Sequence, residues 1–139
     1  LQWLAQADNH HVITYLDPRY PALLKQTKQP PLLLFVKGNP QILVQQQLAM
    51  VGSRQPTPTG RKVAQSFAAE LSQQGYVITS GMARGIDSES HKGALQAGGL
   101  TIAVLGHGLE QVYPVSNKAL AQAIAAVKKR RRSMVYPGK

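Results

Sequence analysis

Three short glycine-bearing stretches hold the residues best suited to chemistry: Gly52-Ser53-Arg54, Gly81-Met82-Ala83-Arg84-Gly85 and Gly106-His107-Gly108. Each follows an apolar run: AMV, YVITS and IAVL. Glycine leaves neighbouring backbone N–H groups unobstructed. Ser53 adds a hydroxyl, and Arg54 and Arg84 add guanidiniums that can each grip a phosphate through paired donors. The chemistry on offer is anion binding, to a phosphate on a nucleotide or on a nucleic-acid backbone. Singly, each stretch is equally well explained as a tight turn, and each arginine as a solvated or ion-paired residue. The stronger argument is that three such loops fall at one sheet edge.

Other chemistries fit less well. Asp87 and His91 are four apart and can meet on one helix face, with Ser80 or Ser88 nearby. A hydrolytic arrangement can be sketched from them, but a local bond fixing a helix start explains the pair more simply, and Asp87 suits the helix dipole. His107 can contact a ligand or stand exposed, and Tyr113 can stack on a base or pack at the sheet edge. The first loop reads GSRQPT, not G-x-G-x-x-G, and Ser80-Gly81 stands where an acidic ribose-binding residue would be. Both departures disfavour NAD, and the Walker pattern is absent. Adjacent His10 and His11 face different ways and are expected in a solvated turn, with no metal role. The chain has no cysteine, which excludes disulfides and thiolate metal sites and suits a reducing cytoplasm.

These loops need a scaffold that brings strand ends together. The spacing predicts strands over 11–16, 32–38, 47–54, 76–80 and 100–105. Val63, Phe67, Ala68 and Leu71 mark one face of a helix over 61–74, with Thr59 as a candidate N-cap and Gly75 closing it. Further helices are expected over 86–98 and 118–126, the last capped by Asn117. Alternating strands and helices with short links predict an α/β fold, a Rossmann-like doubly wound parallel sheet. The loops leaving its strand carboxyl ends share one crevice. Residues 1–11 are expected to end an upstream helical region, 12–126 to form the Rossmann-like domain, and 127–139 to be a basic, solvated tail without a strand.

Composition agrees with one ordinary domain. The 139 residues are 43% apolar, enough for a core, and no run approaches the roughly 20 residues of a membrane span. The net charge of +10 is uneven: six of the sixteen Lys and Arg fall in 128–139 with no acid among them, which leaves residues 1–127 at only +4. A modestly basic body suits a localised phosphate pocket rather than a broad basic surface.

VGSR (51–54), SGMARGIDSESHKGAL (80–95) and TIAVLGHGLEQVYPVSNKAL (101–120), preceded by YPALLKQ and PPLLLFVKGN, resemble the DNA-processing protein A family, also called Smf, in its gamma-proteobacterial form. The resemblance runs from about Trp3 to Ala126. It implies an extended Rossmann fold that binds single-stranded DNA without catalytic turnover or cofactor. It also implies that the protein protects incoming strands during natural transformation, helps load RecA recombinase, and acts as a dimer in the cytoplasm. Carried over by motif, Gly52, Ser53 and Arg54 cradle a backbone phosphate, and Gly81, Met82, Ala83, Arg84 and Gly85 form a second wall. Gly106 belongs to the third loop, and Lys92 is a further phosphate contact. After Ala126 the chain departs from the family pattern, and it is expected to be incomplete at its C-terminus. A phosphoribohydrolase-like enzyme on a related scaffold is the alternative, although its P-G-G-x-G-T-x-x-E signature is missing.

Overall fold

The computed structural model describes residues 2–106, 117–125 and 132–137. Its centre is a six-stranded sheet in the order β1-β2-β6-β5-β4-β3. The strands are β1 His10–Thr14, β2 Leu33–Gly38, β3 Gln47–Ala49, β4 Val77–Ser80, β5 Thr101–Val104 and β6 Arg132–Tyr136. β3, β4, β5 and β6 run parallel, while β2 joins β6 antiparallel and β1 closes the edge antiparallel to β2. The Rossmann-like α/β fold expected from the alternation is present, in a mixed sheet.

The helices are α1 Gln2–Ala5, α2 Ala22–Lys25, α3 Pro58–Gln73, α4 Ile86–Gln96 and α5 Lys118–Ala125, with a 3₁₀ turn over Pro40–Val44. Strand alternation sorts the core into two layers. Ile78 meets Ala68 of α3 and Ala94 of α4, and Ala103 and Leu105 meet Ala121 and Ile124 of α5. Register pairs Ser80 with Ala103, so these residues share one face. Val77, Ile102, Val135, Leu34 and Val36 point the other way, onto Ile42, Leu43 and Tyr20. That second face is only partly covered. A groove of about 980 Å³ runs along it, and Val104 at its floor is 39% exposed.

Helix starts and crossings follow local chemistry. Thr57, not Thr59, caps α3: its Oγ1 accepts from Gly60 N at 3.0 Å, and Pro58 fills the first turn, where an N–H would lack a partner. α3 and α4 cross so closely that a Cβ on Gly93 would sit 2.3 Å from the carbonyl oxygen of Gln65. Glu89, buried between the same helices, is bonded by Gln65 and ion-paired to Arg61 at 3.4 Å and Lys92 at 3.5 Å. Burial pulls its pKa up most strongly, but the bond from Gln65 and the charges of Lys92 and Arg61 together hold it below the usual value of 4.5. The unfolded carboxyl therefore binds protons more readily. The stabilisation is present above about pH 4.5 and fades as pH falls through the lower folded value. Glu89→Ala is expected to cost about 1–3 kcal/mol at neutral pH and less in acid, read from urea melts at both.

Two expectations are corrected. Residues 132–136 are not part of a strandless tail: β6 is an interior strand, paired on both sides. Val135 is buried in the second-face core and Tyr136 stacks on Phe35 at 5.9 Å. The cationic run masked the short β-prone segment that follows it. His10 is not in a turn but opens β1, one residue before the expected strand start at His11. His10 stacks on Trp3 with ring centroids 4.2 Å apart, and its Nδ1 lies 2.6 Å from the Trp3 carbonyl oxygen, which fixes α1 against the sheet.

Candidate nucleic-acid interface

The parallel strands β3, β4 and β5 release their chains at one sheet edge. After β3 come Met50, Val51 and the loop Gly52-Ser53-Arg54; after β4 comes Gly81–Gly85; after β5 come Leu105 and Gly106. Sequence reasoning placed these three loops together, and the topology does so. His107, Gly108, Glu110 and Tyr113 lie outside the described residues.

The first two loops are bonded to one another. Ser80 Oγ donates to Met50 O at 2.5 Å, and Ile86 N donates to Ser53 O at 3.0 Å. Gly85 passes directly beneath the first loop with φ +83°, and a Cβ there would fall 2.3 Å from Ser53 O and 2.8 Å from the Arg54 carbonyl carbon. Only glycine allows this backbone conformation and this approach. Within the first loop, Gln55 N donates to Ser53 Oγ at 3.0 Å, which tightens the turn.

The loop surface is cationic and open. Gly52, Ser53, Arg54 and Arg84 are exposed. The ion pairs among the described residues are Arg19–Asp17, Arg61–Glu89 and Lys92–Glu89, so neither Arg54 nor Arg84 has an acidic partner there. Two exposed guanidiniums on loops joined backbone to backbone form a surface suited to phosphate. Asp87 bonds back to the second loop, where its Oδ2 accepts from Ala83 N at 3.3 Å.

Not every expected residue faces the loop surface. Met82 is buried against Leu105, Ala121 and Ile124, so it offers backbone alone. Lys92 stands two turns along α4 and is engaged with Glu89. Gly106 is exposed, with open space around it.

The hydrolytic sketch fails on geometry. His91 is fully buried; its Nε2 lies 2.7 Å from Gly81 O and its Nδ1 2.6 Å from Thr101 Oγ1. A carbonyl oxygen only accepts, so Nε2 carries the proton. Burial drives the pKa down, against smaller opposing effects from the Gly81 carbonyl and Asp87, which keeps the ring neutral. Nδ1 is then an acceptor, and the Thr101 hydroxyl has a single proton to offer to it or to Ile78 O, the carbonyl 2.8 Å away to which it donates. His91 thus fixes the second loop and does not meet substrate. Among the described residues, no group of three His, Cys, Asp or Glu could hold a metal.

Sequence reasoning missed the buried polar residues under the second loop. Asn117, expected as a helix cap, donates from Nδ2 to Met82 O at 2.9 Å and to Ser88 Oγ at 2.8 Å. A polar residue opening a helix gives no signal of a partner 35 positions upstream.

Comparison with known proteins identifies the family and the fold. A family model described as DNA recombination-mediator protein A matches residues 11–130. Protein Smf of Escherichia coli K12 is 44% identical over 124 residues, which cover 89% of this chain and 33% of the relative. DNA processing protein DprA of Streptococcus pneumoniae R6 is 44% identical over 109 residues, covering 78% of this chain and 38% of the relative. The X-ray structure of DprA from Streptococcus pneumoniae superposes with a TM-score of 0.83 at 37% identity, over 94% of this chain and 44% of that one. The Helicobacter pylori DNA processing protein A, described for its single-stranded DNA binding mode, gives 0.76 at 25% identity, over 94% of this chain and 56% of that one. The chain thus spans about a third of the length of the curated relatives it matches. With most of its residues matched and its sheet superposed, the chain belongs to the DNA recombination-mediator protein A family.

Proposed function

We propose that this chain binds single-stranded DNA through backbone phosphates, with Arg54 and Arg84 as the charged contacts and Gly52, Ser53 and the 81–85 backbone as the walls. The observation that carries this reading is the pair of exposed guanidiniums, without acidic partners among the described residues, on two loops locked together at the carboxyl edge of the parallel sheet. Contacts to phosphate make the binding independent of base sequence. The related Helicobacter protein's single-stranded DNA binding supports the choice of ligand. The interface performs no covalent chemistry in this reading, and His91, beneath the second loop, is engaged in structural bonds. The finer reading follows the family resemblance: in the whole protein the cradle protects single strands in the cytoplasm and hands them to RecA recombinase, with the protein acting as a dimer.

The test is a fluorescence-anisotropy titration of a labelled oligo(dT). Arg54→Ala and Arg84→Ala are each expected to weaken binding about tenfold, the size of one lost charge-assisted contact. Each also reduces the slope of log K against log salt by about 0.7, the release from one single-strand phosphate. Lys128, Lys129, Arg130 and Arg131 are replaced by Gln in every protein compared, so that nonspecific attraction to this run does not mask the loss. Cutting the chain at Ala126 is the wrong control, because it removes β6 from the sheet interior. Wild-type affinity in both arginine variants would sink the cradle.

A further inference from the structure

The second loop is held from within at three successive carbonyls. His91 Nε2 donates to Gly81 O at 2.7 Å, Asn117 Nδ2 to Met82 O at 2.9 Å, and Ser88 Oγ to Ala83 O at 2.7 Å. Asn117 Nδ2 also donates to Ser88 Oγ, so two of the three bonds form one relay. All three side chains are buried. Tying Gly81, Met82 and Ala83 to the interior leaves Arg84 as the loop's exposed residue, directly before the Gly85 crossing.

Asn117 differs from the other two in where it comes from. His91 and Ser88 belong to α4, which continues directly from the loop, so their bonds are local. Asn117 immediately precedes α5, which is distant in sequence from the second loop. We propose that Asn117 is a positioning residue for the DNA cradle: it latches the start of α5 onto the second loop, and thereby fixes where Arg84 presents its charge. The proposal rests on the reading of residues 52–54 and 81–85 as a phosphate cradle. Asn117 itself touches no ligand. Its effect passes through the Met82 carbonyl and the Ser88 hydroxyl, and a preset geometry spares bound DNA the cost of ordering the loop.

Asn117→Asp tests this at nearly constant size, because it removes both N–H donors and sets a carboxylate against two oxygen atoms. The folded variant, checked by circular dichroism, is expected to bind a short labelled oligo(dT) about tenfold more weakly, as for the loss of a buried hydrogen bond, with an unchanged salt slope. The slope separates positioning from contact, since Arg84→Ala lowers it by about 0.7. Wild-type affinity in folded Asn117→Asp, with Arg84→Ala weakened, overturns the positioning role and leaves the cradle standing. A slope reduced as far as in Arg84→Ala also overturns it, by making Asn117 a direct contact. Wild-type affinity in both variants overturns the cradle itself. Should Asn117→Asp fail to fold, Ser88→Ala breaks the same relay: a several-fold loss at constant slope supports the proposal, and unchanged affinity refutes it.

Discussion

Gly85→Ala is expected to cost on the order of 3 kcal/mol of stability and to weaken DNA binding as well. Two separate penalties act at this position. The backbone sits at φ +83°, ψ −130°, a region open to glycine and strained for any residue with a Cβ. The added methyl group would also lie 2.3 Å from Ser53 O, where the obstacle is backbone and not a side chain that can rotate away. Relief requires the first loop to lift. Lifting it breaks the bond from Ile86 N to Ser53 O and moves Arg54 relative to Arg84. A thermal melt should show Tm lower by about 10 °C, given the usual conversion for a domain of this size. Oligo(dT) affinity below the melt should fall by more than in either single arginine variant, because both charges lose their spacing. A Gly85→Ala protein with wild-type melting would show that the loops are not interlocked at this point.

The loops themselves were legible because their signals are local. An apolar run ending on glycine beside a cation can be read without knowing any partner, and the alternation of strands and helices places three such runs at one edge. Elements fixed by distant contacts were not. β6 is four residues past the start of a cationic run and draws its stability from pairing with β5, across the α5 crossover, and with β2, about a hundred residues upstream. Thr57 and Thr59 differ as caps only in which of them precedes Pro58, and the capping geometry chose the former. His91 illustrates the same limit. Its spacing from Asp87 suggested a pair on one helix face, but the ring turns to the carbonyl that precedes the helix and to a hydroxyl on β5. Lys92 looked available for phosphate until the structure placed Glu89 against it. The placement of the loops was therefore readable, and the side chains that support them were not.

His91→Leu is the sharper test of those supports. The substitution keeps an apolar body of similar bulk but removes one donor and one acceptor from a fully buried position. Gly81 O then faces the interior unpaired, and leaving a buried carbonyl without a donor costs about 1–3 kcal/mol. Thr101 loses less, because its hydroxyl still reaches Ile78 O at 2.8 Å. His91→Gln should recover much of the loss, since its side-chain amide can again donate toward Gly81 O. The wild-type histidine also carries a pH signature that neither variant shares. Burial lowers its pKa below the ordinary 6.5, so the unfolded chain takes up a proton that the folded chain refuses. Stability from the neutral ring is thus fully present above about pH 6.5 and is lost progressively as pH falls from there toward the folded value. Urea melts between pH 7.5 and 5 should show the wild-type midpoint falling more steeply than that of His91→Gln, with the two converging in acid. Parallel pH profiles for the two proteins would mean that the ring is not held neutral against Gly81, and that the second loop owes its shape to Asn117 and Ser88 alone.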